Sequence, residues 1–294
     1  MLLKTAIVTG GTGFLGCALV RELIRNDIFV YALCRKGSKR LKRFDGLAGI
    51  EVLETDLSCP EIPEHAKESD VFYHLAWEGG RNDFDEQYKN VSMTVSCLKL
   101  ASAIGCMRFI STGTQAEYGE TTETITEESS LNPSTAYGAC KVAAYYLSAD
   151  LAKRSGIEHI WARVFSIYGP SDNPNTLIMT LIRDARTNRE VMMRTDGEHI
   201  WNYLYEDDAA RALRLLGTVP NPHEVYNVAS LESKPLKDFA NSLIRTVDSD
   251  SEIYFGNERS SVNLDIFPSK LIEDIGEFEF TNYIDGIRRI CANV

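Results

Sequence analysis

An apolar run at residues 4–9, Lys-Thr-Ala-Ile-Val-Thr, breaks abruptly into Gly10-Gly11-Thr12-Gly13-Phe14-Leu15-Gly16, after which Leu15, Leu19 and Leu23 recur at helical spacing. That is a strand, a tight glycine turn and the start of a helix. Two glycine registers fit at once. Gly11, Gly13 and Gly16 give G-x-G-x-x-G, and Gly10, Gly13 and Gly16 give G-x-x-G-x-x-G. Glycines placed this way permit the turn, let backbone N–H groups approach a pyrophosphate, and let the helix pack closely on the strand. The stretch therefore predicts a dinucleotide site whose candidate contacts are Gly10, Gly13, Phe14, Leu15 and Gly16.

The second apolar run, Ile28 to Leu33, reads as the next strand, and its end is where such a site chooses its cofactor. An acid there favours NAD by binding the ribose 2′-hydroxyl, and a basic group favours NADP by meeting the 2′-phosphate. The chain reads Cys34-Arg35-Lys36-Gly37-Ser38-Lys39-Arg40, with no acid at the strand end. NADP is accordingly favoured over NAD, with Arg35 as the phosphate ligand and Lys36 and Ser38 beside it; the competing reading is a solvated basic loop.

Alternation continues along the chain. Residues 51–57 read as a strand ending in Asp56-Leu57, placed to lie beside an adenine, and residues 70–76 as a buried strand running through His74, Leu75 and Ala76 into Trp77-Glu78-Gly79-Gly80. His74 interrupts an apolar run without a partner at ligand spacing, so it reads as a core histidine. A helix with Val91, Val95 and Leu98 on one face, a strand at 107–111 and a further strand within 156–165 complete the pattern. Strand and helix in turn predict an α/β fold, a doubly wound parallel sheet of Rossmann type with ligands beyond its C-terminal strand ends. The remaining elements read as a smaller C-terminal α/β substrate lobe: about 166–206 plus 231–294, against 1–165 plus about 207–230 for the dinucleotide-binding part. The acidic run 120–130 reads as a surface loop, and the tail from about Glu252 as a mixed polar segment with aromatic residues.

Bulk properties exclude several classes. A formal net charge of -11 leaves no surplus of Lys and Arg for a general nucleic-acid or anionic-membrane binder. Nothing approaches the ~18 apolar residues of a membrane helix, and the N-terminus is no signal peptide. Cysteines at 17, 34, 59, 97, 106, 140 and 291 show no paired spacing that would hold zinc, and read as reduced residues of a cytoplasmic protein with no metal site.

Two further stretches carry chemistry. Tyr137 and Lys141 stand four apart at a helix start, where positions i and i+4 share a face. An ammonium near a phenol favours the phenolate, which makes the tyrosine a proton carrier near neutral pH; a solvated Tyr/Lys pair is the bland alternative. Ser111-Thr112-Gly113-Thr114-Gln115-Ala116-Glu117-Tyr118-Gly119 leaves a strand where the site is expected and offers several hydroxyls.

With these motifs in this order, together with Arg163 to Pro170 and Trp201 to Asp208, the chain resembles the extended short-chain dehydrogenase/reductase family over nearly its whole length, in the branch of nucleotide-sugar epimerases, dehydratases and ketoreductases. The resemblance implies that Tyr137 is the general acid/base, that Lys141 holds the nicotinamide ribose and depresses the tyrosine pKa, and that Thr114 binds the substrate oxygen. It also implies cofactor contacts at Asp56, Leu57, Leu75 and Ala76, substrate contacts at Trp77, Gln115, Ser166 and Trp201, and a homodimer pairing the helix near 90–103 with the Tyr137 helix. Departures are informative. The 4,6-dehydratases carry an Asp-Glu pair after this Thr, and here Gln115 and Ala116 stand there, with Glu117 one place displaced. The Asn before the Tyr-Gly-Pro turn is Ser166, and the Arg of the R-D-[FW]-[IL]-Y pattern is Trp201, so Arg183, Arg194 or neither meets a diphosphate. The leading expectation is NADPH-dependent reduction of a 4-keto-6-deoxy nucleotide sugar. A 4-epimerase with tightly held cofactor is the alternative, and a non-catalytic cofactor-binding regulatory protein the third.

Overall fold

The computed structural model describes residues 3–276 and 278–293. Its centre is a seven-stranded sheet: β1 (Thr5–Thr9), β2 (Phe29–Cys34), β3 (Ile50–Glu54), β4 (Val71–His74), β5 (Arg108–Thr114), β6 (Glu158–Val164) and β7 (Val225–Val228). All pairings are parallel, in the order β7-β6-β5-β4-β1-β2-β3. The doubly wound sheet expected from the alternation is present, and its strand order reverses between β1 and β4. A crevice opens there beyond the strand ends.

Helices cover both faces: α1 (Phe14–Arg25), α2 (Phe84–Ala103), α3 (Ala136–Ser155), α4 (Leu177–Arg186), α5 (Glu206–Leu216), α6 (Leu236–Val247), α7 (Ser269–Ile275) and α8 (Tyr283–Asn293). Alternation along a strand sends neighbours to opposite layers. In β1, Ala6 and Val8 join α1 and α5 side chains such as Leu19, Leu23 and Leu213, whereas Ile7 joins Phe72, Phe109 and Leu98 beneath α2 and α3. Burial on both sides explains why these strands read as continuous apolar runs. A separate cluster links α4, α6 and α8 through Ile178, Leu181, Phe239, Leu243, Ile287 and Ile290.

Two segments differ from the sequence reading. The tail is structured: Ile253–Glu258 pairs in parallel with Val191–Thr195, and α7 and α8 follow. Tyr283, Ile287 and Ile290 of α8 are buried at helical spacing, a period hidden by the charged residues between them. The acidic run is anchored rather than wholly superficial. Ile125 is buried against Ile266, and the buried Glu127 accepts from Asn227 N (3.0 Å) and Ser269 Oγ (2.8 Å).

Candidate active site

The glycine turn settles which register matters. Gly10 has φ +70°, and a Cβ there would lie 2.6 Å from Ala76 N; a Cβ on Gly16 would lie 2.1 Å from Gly10 O. No side chain fits either place, so Gly10, Gly13 and Gly16 form the working register, and β1, the end of β4 and α1 close onto one another. The N-cap of α1 is Gly13, which offers no side-chain cap, and the first turn holds no acid. The positive end of the helix is thus left open for an anion, as a pyrophosphate requires. Phe14 sits in that first turn and Leu15 reaches the cavity that also holds Thr114 and Tyr137. Arg43, which the sequence did not single out, donates from Nη1 to Thr12 O at 3.0 Å and ties the basic 3₁₀ turn Lys39–Phe44 to the glycine loop.

Beside this turn a cleft of ≈ 140 Å³ is lined by Gly10, Gly13, Arg35, Ser38, Leu57, Leu75 and Ala76. Asp56 and Leu57 line its neighbour together with Arg35 and Glu78. Lys36 is exposed and lines neither. Arg35 is held 2.8 Å from Glu78 with 69% of its side chain exposed, an ion pair weak enough to be exchanged for a ligand phosphate. Glu54, at the end of β3, accepts from Gly37 N at 3.0 Å. Two acids therefore reach the basic loop, one from the end of β3 and one from the loop after β4, which a reading of β2 alone could not reveal. The cleft can hold the adenosine end of a dinucleotide.

The second half of the site is built by β5 and α3. Thr135 caps α3 by accepting from Gly138 N at 3.1 Å. A Cβ on Gly138 would lie 2.4 Å from Ala116 O, so the first turn of α3 presses against the turn that follows β5. This brings Tyr137 to Thr114. The two share a cavity of ≈ 470 Å³ with Lys141, Gln115, Ser166, Trp77 and Trp201. Ser166 Oγ donates to Gln115 Oε1 at 3.2 Å. The buried indole Nε1 of Trp201 has no hydrogen-bond partner among the described residues.

Glu117 points away from the cavity. Fully buried, it accepts from Thr114 N (2.8 Å), Trp161 Nε1 (3.0 Å) and Arg163 Nε (2.7 Å). Arg163 also donates to Tyr118 Oη, which donates to Asn227 Oδ1. The residue one place beyond the dehydratase positions is thus part of a buried scaffold under Thr114. His74 is likewise core: its ring lies 2.8 Å from Thr9 Oγ1 and 3.1 Å from Thr94 Oγ1, and burial holds it neutral with a pKa near 3.

The electrostatics correct one expectation. Lys141 does not leave Tyr137 with a lowered pKa here; burial raises the phenol, against the opposing effects of the Thr114 hydroxyl and the Arg81 charge. Lys141 is itself buried. Its Nζ donates to Thr112 O at 2.6 Å and lies 3.7 Å from the centre of the Trp77 ring, and desolvation draws its pKa down to about 7 against the attraction of Glu117.

Arg81, Asp172, Thr176 and Tyr203 line the cavity as well, and the sequence reading missed them. Arg81 places its guanidinium 5.4 Å over the Tyr137 ring. Asp172 accepts from Thr176 Oγ1 at 3.0 Å and its pKa is raised by burial. Only Tyr203 stood in a named motif; the other three lie on loops or at a helix start, where no period marks them. Arg183 pairs with Asp184, Arg194 is exposed, and neither lines the cavity. Among the described residues no group of His, Cys, Asp and Glu could hold a metal, and no helix is long and apolar enough to cross a membrane.

Known proteins bear on this geometry directly. The model of the NAD dependent epimerase/dehydratase family matches residues 6–229. The chain belongs to that family. Its members of the extended short-chain dehydrogenase/reductase type are enzymes, and this chain shares their parallel sheet with flanking helices. Curated relatives in the family include a trifunctional UDP-glucose 4,6-dehydratase/UDP-4-keto-6-deoxy-D-glucose 3,5-epimerase/UDP-4-keto-L-rhamnose-reductase of Arabidopsis thaliana, 25% identical over 97% of this chain and 46% of that protein. The chain thus spans about half the length of these plant relatives. A dTDP-glucose 4,6-dehydratase of Escherichia coli is 28% identical over 82% of the chain and 76% of its own length. Among solved structures, the UDP-glucuronic acid 4-epimerase of Bacillus cereus with UDP-glucuronic acid and NAD superposes with a TM-score of 0.86 at 20% identity, covering 98% of each chain. A dTDP-glucose 4,6-dehydratase of Bacillus anthracis with NAD gives 0.86 at 20% identity over 98% and 96%. At that identity the likeness carries the fold alone.

Proposed function

We propose that this family member reduces the C4 ketone of a 4-keto-6-deoxy nucleotide sugar at the expense of NADPH. The observation that supports it is the cavity where Thr114, Tyr137 and Lys141 meet, with Gln115, bonded to Ser166, and Ala116 at the two places where a dehydratase needs acids. Neither Gln115 nor Ala116 can donate or remove a proton to eliminate water, and Glu117 is locked to Arg163. The reduced nicotinamide supplies the hydride. Thr114 donates a hydrogen bond to the ketone oxygen, Tyr137 gives its proton to the same oxygen as the carbinol forms, and Lys141 donates to the ribose and stabilises the resulting phenolate. Trp77, Gln115, Ser166 and Trp201 would frame the sugar. Arg35, Lys36 and Ser38 would receive the 2′-phosphate once Arg35 leaves Glu78.

A 4-epimerase that oxidises and re-reduces C4 is the second reading, and the Arg35–Glu78 pair favours it, because an acid beside the adenosine ribose suits NAD. Measuring the affinities for NAD and NADP separates the cofactor assignments: tighter binding of NAD would overturn the NADP preference. A homodimer is part of the proposal, because α2 and α3 leave Phe84, Tyr88, Tyr146 and Leu147 exposed. Light scattering that gives a monomer mass at micromolar concentration would overturn it.

A further inference from the structure

Lys141 is held in place by a residue that is neither its neighbour in sequence nor its partner by charge. The ammonium is fully buried, and one of its three N–H donors is taken by Thr112 O at 2.6 Å. The charged groups facing it are otherwise engaged. Glu117, from the turn after β5, spends its oxygens on Thr114 N, Trp161 Nε1 and Arg163 Nε, and Arg163 reaches in from β6. His74 from β4 is neutral, and Tyr137 on the same helix carries Arg81 over its own ring. The nearest aromatic face to Lys141 Nζ is that of Trp77, 3.7 Å from the ring centre, while the Trp161 and Tyr137 rings stand farther off at 5.9 and 6.0 Å.

Trp77 is fixed for this task. Its Nε1 donates to Gln87 Oε1 at 2.7 Å, and the fully buried Gln87 donates to Gly80 O at 2.9 Å, so the loop after β4 is pinned to α2. Its ring stands edge-on to Tyr137 at 6.1 Å between centroids. Trp77 is also shared by the two cavities: it lines the cleft beside the glycine turn and the chamber of Thr114 and Tyr137. A dinucleotide reaching from one to the other passes along this indole.

We infer that Trp77 is a positioning residue that keeps Lys141 aimed and protonated beneath the nicotinamide riboside half of the cofactor, through a cation–π contact. The π face favours the ammonium over the neutral amine, in opposition to the desolvation that draws the pKa down to about 7. Its removal moves the protonation midpoint downward. Its catalytic consequence rests on the role proposed above for Lys141; the contact itself does not.

The test follows the lysine 13Cε resonance of Lys141 through a pH titration of the cofactor-free protein, with the signal assigned by its absence in Lys141→Arg. Trp77→Leu removes the π face and keeps the site apolar, and Trp77→Phe restores a weaker face. The expected result is a midpoint lowered by roughly 0.5–1.5 pH units in Trp77→Leu and by less in Trp77→Phe, both variants keeping a cooperative melt. An unchanged midpoint in folded Trp77→Leu, or equal shifts in the two variants, would overturn the inference. If neither variant folds, the same titration on Gln87→Leu, which frees the indole without removing it, decides: a midpoint identical to wild type overturns the inference, and a lowered one supports it. Wild-type binding of NAD or NADP, measured by calorimetry, tests the functional reading separately. Absence of binding removes Lys141's proposed role and leaves the cation–π result standing or falling on its own titration.

Discussion

Replacing Glu117 separates a scaffold carboxylate from a catalytic acid. Its side chain is inaccessible and pairs with the equally buried Arg163 at 2.7 Å, while also accepting from Thr114 N and Trp161 Nε1. Glu117→Ala leaves the guanidinium uncompensated, a loss of about 3–5 kcal/mol for a broken buried pair. Against a total stability of roughly 5–15 kcal/mol this lowers the melting temperature by on the order of 10 °C. Among the described residues Arg163 would keep Tyr118 Oη alone as an acceptor, and the backbone of Thr114 would lose its anchor. Removing both charges together, as Glu117→Leu with Arg163→Met, should recover a large part of the loss, because a buried ion pair contributes little beyond an apolar pair of similar volume. The assay is calorimetry on Glu117→Ala, Arg163→Met and the double variant, with turnover measured below every melting temperature. A Glu117→Gln protein that melts like wild type but has no turnover would refute this reasoning and make Glu117 the displaced acid.

Other substitutions test other parts. Tyr137→Phe should lower turnover roughly 10²- to 10⁴-fold with cofactor affinity retained, as equilibrium binding and single-turnover rates can show. Gly16→Ala places a Cβ 2.1 Å from Gly10 O and should cost both melting temperature and dinucleotide binding, whereas a variant with unchanged binding would contradict the close approach. Arg35→Ala should weaken NADP by roughly 10- to 100-fold and leave NAD nearly unchanged, a difference read by calorimetry. Glu206 is buried with one carboxylate oxygen lacking a partner among the described residues, and burial followed by the Asp207 charge raises its pKa from 4.5 to about 7. A carboxyl raised in the folded state is fully protonated there below pH 4.5 and loses that stabilisation as pH climbs to about 7. Glu206→Gln should therefore gain up to about 3 kcal/mol of relative stability at pH 8 over pH 4, and denaturation at the two pH values should show it.

Much of this architecture was written locally. Gly10, Gly13 and Gly16 announce a turn that only glycine can make, and the apolar runs of β1, β2 and β4 are long because both faces of the sheet are covered. Tyr137 and Lys141 were legible because a helix fixes their spacing. What stayed hidden depends on contacts between distant segments. Glu78 stands against Arg35 only because β4 and β2 both flank β1. Arg43 reaches Thr12 across 31 positions, and Asp172 enters the cavity on a loop with no period. The expected lowering of the tyrosine pKa failed for a similar reason: spacing places a lysine near a phenol but says nothing about how deeply both are buried. In α8, charged residues between Tyr283, Ile287 and Ile290 masked a helix that completes the core shared with α4 and α6.

The central claim is net reduction of a ketone by the Thr114, Tyr137 and Lys141 site. The direct measurement follows NADPH absorbance and sugar product together during turnover of a panel of 4-keto-6-deoxy nucleotide sugars. One NADPH consumed per 4-hydroxy product, lost in Tyr137→Phe, is the predicted result; a 4-epimeric product formed with no net change in cofactor would contradict it.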